Sequence, residues 1–378
     1  MDTVTQALLG GVIGKACFSD KLGTRAIFWG AVGGAIPDLD ILHSSLSGPW
    51  GEFLYHRGWT HALLFAPLLA PVLGYGVWRF YAYKYRKQGK DRTEKWTQDD
   101  PAPQPNPGHR NTLIAWMGLF FFALLTHPLL DIFTSYGTQI LIPFSRERVA
   151  LNAVGIVDPV YSLILIAGLV LGTKRLYRRW GINGKKVAWM ALILSTAYLF
   201  YGLWLNDRAE QVVRKRLNAE GIQDAQVTCY PTVLQPFLRR IVVRFNGSLR
   251  VGTLTMLKPE SPKWETFRIP EHPLIQKVLQ TPEGELFEWF AMREISPHIT
   301  PICSSKCDSF LVEIDDIRYG FSEPLDQGIW GIRARFDSEG RVVEPVERFN
   351  RPFPDPMDTF LKLWNGTFGT ELKNRSKP

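Results

Sequence analysis

The sequence predicts an α-helical multi-pass membrane domain over residues 1–205, followed by a soluble α+β domain over residues 206–378. Three observations predict it. Of 378 residues, 46% are apolar, enough for two buried cores. Charge is segregated: residues 1–205 carry 20 basic and 12 acidic side chains, whereas 206–378 carry 24 of each, so the whole net charge of +8 sits in the first half. Of those 20 basic residues, 13 fall in two stretches, 84–110 and 174–186, which lie between long apolar runs. A nucleic-acid surface would not be confined to the loops between greasy segments. The distribution is the positive-inside pattern of a membrane protein, so the expected partner is the lipid bilayer and no nucleic acid.

The elements follow in chain order. Two short apolar stretches, 4–18 and 26–36, come first and are rich in small residues (Gly10, Gly11, Gly14, Gly30, Gly33, Gly34). Such composition suits close helix packing or half-spanning elements. Four later segments read as bilayer spans: 61–83, 112–133, 159–172 with its apolar lead-in, and 187–205, the last without a single charge. The opening Met1-Asp2-Thr3 has no basic n-region, so insertion is expected from internal segments. Placing both basic loops in the cytoplasm makes 61–83 run inward, 112–133 outward, 159–172 inward and 187–205 outward. The expected location is therefore the cell inner membrane, with everything after residue 206 periplasmic or extracytoplasmic.

In the second half, 207–220 has helical periodicity and 226–257 alternates like strands, with Asn246-Gly247 as a hairpin turn. Strands are expected over 310–319 and 329–346, and a helix over 285–293. Four cysteines are too few for a disulfide framework and lack CxxC spacing; Cys303 and Cys307 are placed to pair if that half is extracytoplasmic. Its aromatic residues (Trp264, Phe287, Trp289, Phe290, Trp330) fit a core, a substrate lid or a partner surface.

Four boxes in the membrane half carry candidate chemistry. They are Pro37-Asp38-Leu39-Asp40, His56-Arg57-Gly58-Trp59-Thr60-His61, His127-Pro128-Leu129-Leu130-Asp131, and Asp158. The i, i+4 spacing puts His127 and Asp131 on one helical face. Each box has a structural alternative: Asp38 and Asp40 as helix-end caps, His61 as a helix-start residue, His127 and Asp131 as a local hydrogen bond, Asp158 before Pro159 as an N-cap. Their joint placement argues otherwise. Under the charge-derived orientation these residues, with Asp2, all fall near the outer ends of their segments. Ionisable groups there are costly unless paired or coordinated. Imidazole and carboxylate together suit one divalent metal or two, zinc foremost, with manganese or iron also fitting, and Asp38, Asp40, His56, His61, His127 and Asp131 as ligands.

These boxes, with the opening Met1-Asp2-Thr3-Val4-Thr5-Gln6, the run Asp131-Ile132-Phe133-Thr134-Ser135-Tyr136-Gly137-Thr138-Gln139, and Pro143-Phe144-Ser145 ahead of Asp158-Pro159, resemble the YdjM-like family of inner-membrane-associated metal-dependent hydrolases. The resemblance covers residues 1–205. Members often read Asp-x-x-Thr-His at the start; Gln6 stands where that His would fall, although an amide oxygen also binds metals. A weaker likeness, through the His-x-x-x-Asp helical pair, is to the zinc-dependent phospholipase C and P1 nuclease group, which implies phosphoester hydrolysis. The expected function is thus a membrane-bound hydrolase at the outer face, acting on a phosphoester or lipid-linked substrate. Asp40 or Asp158 would serve as general base or orient a ligand histidine, and Arg57 would steady transition-state charge. The alternatives are a non-catalytic, metal-stabilised membrane scaffold and an ion-path transporter.

Overall fold

The computed structural model describes residues 1–87, 109–171, 181, 183–259, 262–303, 307–320, 324–352 and 355–369. Most of the two basic loops that orient the spans, and the side chains of Cys303 and Cys307, lie outside these residues. The chain divides into two compact units. One comprises Met1–Leu42, Arg57–Ala150 and Ile156–Phe200; the other comprises His43–His56, Leu151–Gly155 and Tyr201–Pro378. Two short stretches of the first half thus belong with the second unit.

The first unit is helical. Helix α1 (Thr3–Ile13) continues through a π-helical turn (Gly14–Phe18) into the short α2 (Ser19–Leu22), and α3 (Arg25–Ala35) follows. Glycine decides how α1 and α3 meet. A Cβ on Gly10 would lie 2.1 Å from the Gly30 carbonyl oxygen, and one on Gly34 would lie 2.4 Å from that of Gln6. Two Gly-x-x-x-Gly faces therefore allow backbone-to-backbone contact, which larger residues would prevent. The other side of α3 packs on α7 (Leu113–Asp131), Gly33 against Phe120 and Ala123. Leu22, Ala26, Trp116, Leu119 and Phe120 form the buried core with Ala66 and Ala70 of α6 (Phe65–Lys87). Between α3 and α6 come α4 (Asp40–Leu46) and α5 (Gly51–Tyr55).

Four spans were expected, and the described residues hold two helices long and apolar enough to cross a membrane: α7 and α9 (Gly184–Ala219). A third arises if Gly51–His61 and α6, bent by 68°, count as one broken span. Segment 61–83 is thus not one straight helix; a 3-10 turn (Trp59–His61) precedes α6. Helix α8 (Pro159–Val170) has 12 residues. At 1.5 Å per residue it is about 18 Å long, short of the ~30 Å hydrocarbon core. The apolar segment 187–205 and the periodic segment 207–220 form one continuous helix, α9, because no breaker separates them.

The second unit carries two antiparallel four-stranded sheets, ordered β1-β2-β3-β4 and β5-β6-β7-β8. The first contains β1 (Gln226–Pro231), β2 (Leu238–Phe245), β3 (Ser248–Thr255) and β4 (Lys263–Arg268). Asn246 (φ 44°) and Gly247 (φ 67°) close the β2–β3 hairpin with Phe245 opposite Ser248. Two positive φ values are what the Asn-Gly pair favours. Helices α10 (Pro273–Leu279) and α11 (Pro282–Phe290) precede β5 (Ile295–Cys303), β6 (Cys307–Asp316), β7 (Trp330–Asp337) and β8 (Val342–Asn350), and α12 (Pro356–Phe368) follows. Phe53 stacks on Phe290 at 4.2 Å, which explains why residues 43–56 group here. All the expected strands and the 285–293 helix have counterparts in these elements.

Candidate metal centre

Three pieces of the first unit converge on one point. Pro37, which has no N–H to extend α3, turns the chain into a 3-10 segment (Pro37–Leu39) and sets Asp38 just beyond the helix end. The 3-10 turn before α6 carries His61. One helical turn of α7 carries His127 and Asp131. All four side chains are buried, none more than 8% exposed.

Each of the four offers one donor atom, and these atoms lie within 4.8 Å of one another. His61 Nε2 is 3.0 Å from His127 Nε2. It is 3.4 Å from Asp38 Oδ1 and 3.2 Å from Asp131 Oδ2. His127 Nε2 is 3.3 Å from Asp38 Oδ1 and 3.6 Å from Asp131 Oδ2. A tetrahedron's edge is about 1.63 times its centre-to-corner distance, so ~2.0–2.2 Å zinc–ligand bonds demand edges of about 3.3–3.6 Å. Three of these five edges fall in that range, and the His61–His127 and His61–Asp131 edges, at 3.0 and 3.2 Å, are slightly shorter.

The tautomers agree with it. His127 Nδ1 lies 2.6 Å from the Gly34 carbonyl, which only accepts, so Nδ1 carries the proton and Nε2 presents a lone pair. That carbonyl is available because it belongs to the last turn of α3. His61 Nδ1 lies 3.2 Å from Asp40 Oδ2 and 3.0 Å from Thr60 Oγ1, whose own proton goes to Asp40. Its Nε2 is likewise a lone pair. Each carboxylate divides its oxygens in the same way. Asp38 Oδ2 accepts from Thr3 Oγ1 at 2.6 Å while Oδ1 faces the histidines. Asp131 Oδ1 accepts from Gln6 Nε2 at 3.1 Å and from the Met1 amino group, while its buried Oδ2 has no hydrogen-bond partner. Four acceptors facing one another in a buried site repel unless a metal ion or a proton on one imidazole sits between them. The donor set therefore fits a divalent ion, and carboxylate–histidine backing is the arrangement that orients metal-bound imidazoles.

Not every expected site residue joins this group. Asp40 stands behind His61, accepting from the Arg57 N–H at 2.9 Å and from Thr60 Oγ1 at 3.0 Å. His56 is half-buried at the C-terminal end of α5 and is not one of the four. Asp158 caps α8, accepting from Tyr161 N–H at 3.0 Å and from the Tyr198 hydroxyl at 2.8 Å. The structure thus places Asp158 in the cap position that an Asp before Pro favours, and not with the four. Asp2 likewise caps α1, through Thr5.

Arg57 is buried and its backbone is left-handed, φ 58°, a strained conformation for a non-glycine residue. Its guanidinium donates to Thr134 Oγ1 at 2.9 Å, reaches Asp131 Oδ1 at 3.4 Å and lies 4.7 Å above the Tyr136 ring, while Nε has no partner. Sequence reasoning missed Thr3 and the Gly34 carbonyl. The first left only its place in the opening motif as a signal, and a backbone carbonyl leaves none.

Two or three helices fit to cross a membrane, with a buried His/Asp set that could hold a metal ion, define the class of protein. Within it, the chain belongs to the YdjM inner membrane protein family, whose model matches residues 1–209. It is 28% identical over 150 residues to the inner membrane protein YbcI of Escherichia coli (strain K12), covering 38% of this chain and 69% of that protein. It is also 28% identical over 181 residues to the uncharacterized protein YfhP of Bacillus subtilis (strain 168), covering 45% of this chain and 46% of YfhP. The match thus spans less than half of YfhP's own length. No solved structure matches.

Proposed function

We propose that the protein is a membrane-bound, metal-dependent hydrolase that holds a divalent ion, zinc by preference, on Asp38, His61, His127 and Asp131. The observation that carries the metal is the clustering of one donor atom from each of four buried side chains within 4.8 Å. When bound, such an ion supplies a Lewis acid and a water acidified from ~16 toward ~7. The chain's own residues do the rest. Asp40 holds His61 in the tautomer and orientation that expose Nε2. Gln6 and Arg57 fix Asp131 Oδ1 so that Oδ2 stays turned inward. Arg57, a buried cation with an unpartnered Nε and strained backbone, is suited to hold a substrate phosphate or carboxylate through charge-assisted bonds. The substrate class is a phosphoester or a lipid-linked ester at the outer face of the inner membrane, and 206–378 is extracytoplasmic, as the basic-loop distribution supports.

One observation favours a second reading, a non-catalytic metal-stabilised scaffold. Four protein donors complete a tetrahedron, whereas catalytic zinc sites keep one position open or expand to five ligands. The experiment that separates the readings is metal analysis of the detergent-solubilised protein beside a His61→Ala/His127→Ala variant, followed by a screen of phosphodiester and lipid-phosphate substrates. The hydrolase reading expects bound zinc or manganese and turnover, both lost in the variant. Metal without turnover supports the scaffold. Absence of metal from the wild type, even after incubation with added divalent ions, overturns both.

A further inference from the structure

Helix α12 (Pro356–Phe368) has two apolar faces, and the fold uses one. Asp355 caps its start, accepting from the N–H groups of Met357 at 2.8 Å and Asp358 at 3.1 Å. Leu363 and Thr367 are buried on the inner face. There Thr255 Oγ1 donates to the Thr367 carbonyl at 2.6 Å, and a Cβ on Gly366 would meet Leu238 at 3.0 Å. Met357, Phe360, Trp364 and Phe368 recur at helical spacing along an adjoining side and are 56, 45, 39 and 48% exposed. Their ring contacts among the described residues run along the stripe: Phe360 and Trp364 lie 5.9 Å apart, Trp364 and Phe368 4.5 Å. Lys362 lies off the stripe and is exposed.

The position of α12 within its unit identifies what covers the stripe. Leu238, on which the helix rests, begins β2. The next residue, Arg239, is fully buried and donates to the carbonyls of Asn152 at 2.9 Å, Ala153 at 3.0 Å and Gly202 at 3.0 Å. Gly202 belongs to α9, three residues before the charge-free run 187–205 ends and the polar Asn206-Asp207-Arg208 begins. Tyr201 and Trp204 flank it, exposed and stacked at 5.7 Å, the residue types that sit at headgroup level. Leu234, in the turn between β1 and β2, and Leu257, just past β3, are exposed at the same end of the sheet. Leu234 and Leu257 thus lie at the end of the sheet where Arg239 meets α9 as it leaves its apolar run.

We propose that α12 is an interfacial helix that lies on the lipid bilayer, with Met357, Phe360, Trp364 and Phe368 sunk to the boundary of headgroups and acyl chains. Lipid is favoured over a second protein because α12 rests on Leu238 and Thr255, at the same end of the sheet where Arg239 reaches Gly202 between Tyr201 and Trp204. The attachment gives the second unit a contact with the membrane other than α9, and it does not depend on the metal centre.

The test uses the full chain with benzoylphenylalanine incorporated singly at Phe360, Trp364 or Lys362, and at Ile193 of α9 as a membrane reference. Each variant is reconstituted in phosphatidylethanolamine–phosphatidylglycerol nanodiscs, irradiated and weighed intact. The proposal expects lipid adducts at 360 and 364 as abundant as at 193, and their loss at 362. Replacing one aromatic residue with another leaves the inner face intact, and elution with the native chain verifies the fold. Cross-links to a second copy or another protein at 360 and 364, or no adduct there while 193 gives one, overturn it.

Discussion

On the proposed reading, Asp40→Asn separates a residue that would back the metal from one that would bind it. Asp40 Oδ2 accepts from Arg57 N–H and Thr60 Oγ1 and lies 3.2 Å from His61 Nδ1. It is not among the four donors. Asparagine keeps the size and one oxygen, so the turn around Arg57 survives, but the negative charge that makes His61 a better donor is gone. Changes behind a ligating histidine weaken metal binding about 10–100-fold, which is about 1.4–2.8 kcal/mol. At saturating metal, the stabilisation that metal confers falls by the same amount, since it follows the logarithm of concentration over dissociation constant. Competition for zinc against a chromophoric chelator, and unfolding with and without zinc, give two readings of one number. Asp38→Asn, by contrast, removes a donor charge and abolishes stoichiometric binding. Unchanged affinity in Asp40→Asn refutes the backing role; loss of stoichiometry equal to that of Asp38→Asn makes Asp40 a ligand.

Two further predictions rest on other parts of the chain. Gly10→Ala puts a Cβ 2.1 Å from the Gly30 carbonyl oxygen and must push α1 from α3, at a cost of about 1–3 kcal/mol with reduced zinc capacity. Gly76→Ala, with open space around it in α6, is the control and leaves both unchanged or slightly improved. In the second unit, burial pushes the Asp315 carboxyl up to about 7, outweighing the pull of Arg351. The folded state thus keeps a proton that the unfolded chain releases near pH ~4, so stability is full below that value and declines as pH rises toward 7. Unfolding midpoints between pH 4 and 8 show this decline in the native chain and a flatter profile in Asp315→Asn; equal slopes refute it.

The parts of the fold that were legible in the sequence are those set by local chemistry. Asn246-Gly247 demanded two positive φ values, and the hairpin sits there. The i, i+4 pair His127/Asp131 was readable because one helical turn suffices to align it. Among the described residues two or three helices, not four, are long and apolar enough to span, because length and breaks matter as much as apolar content: α8 has 12 residues, and the chain bends by 68° ahead of α6. Asp158, expected as a general base or to orient a histidine, caps α8 through the Tyr161 N–H, and its place before Pro159 in the sequence pointed to that cap as well. The Gly34 carbonyl that sets the tautomer of His127 was invisible because it depends on where α3 ends in space.

The same geometry shows why the site and the packing are one problem. Asp38 stands beyond α3, His61 on a turn, and His127 with Asp131 on α7, while α1 supplies Thr3 and Gln6 as backing donors. No element carries the centre alone. The glycine contacts of α1 with α3, and of α3 with α7, hold these pieces within a few ångströms. Small residues in a membrane bundle contribute close approach more than hydrophobic driving force, since lipid is as apolar as the side chains. The close approach has an electrostatic cost here, because it forces four acceptors together in a buried space. A cation in the centre removes that cost, so metal affinity and helix association reinforce each other, and each would be measured in part by perturbing the other.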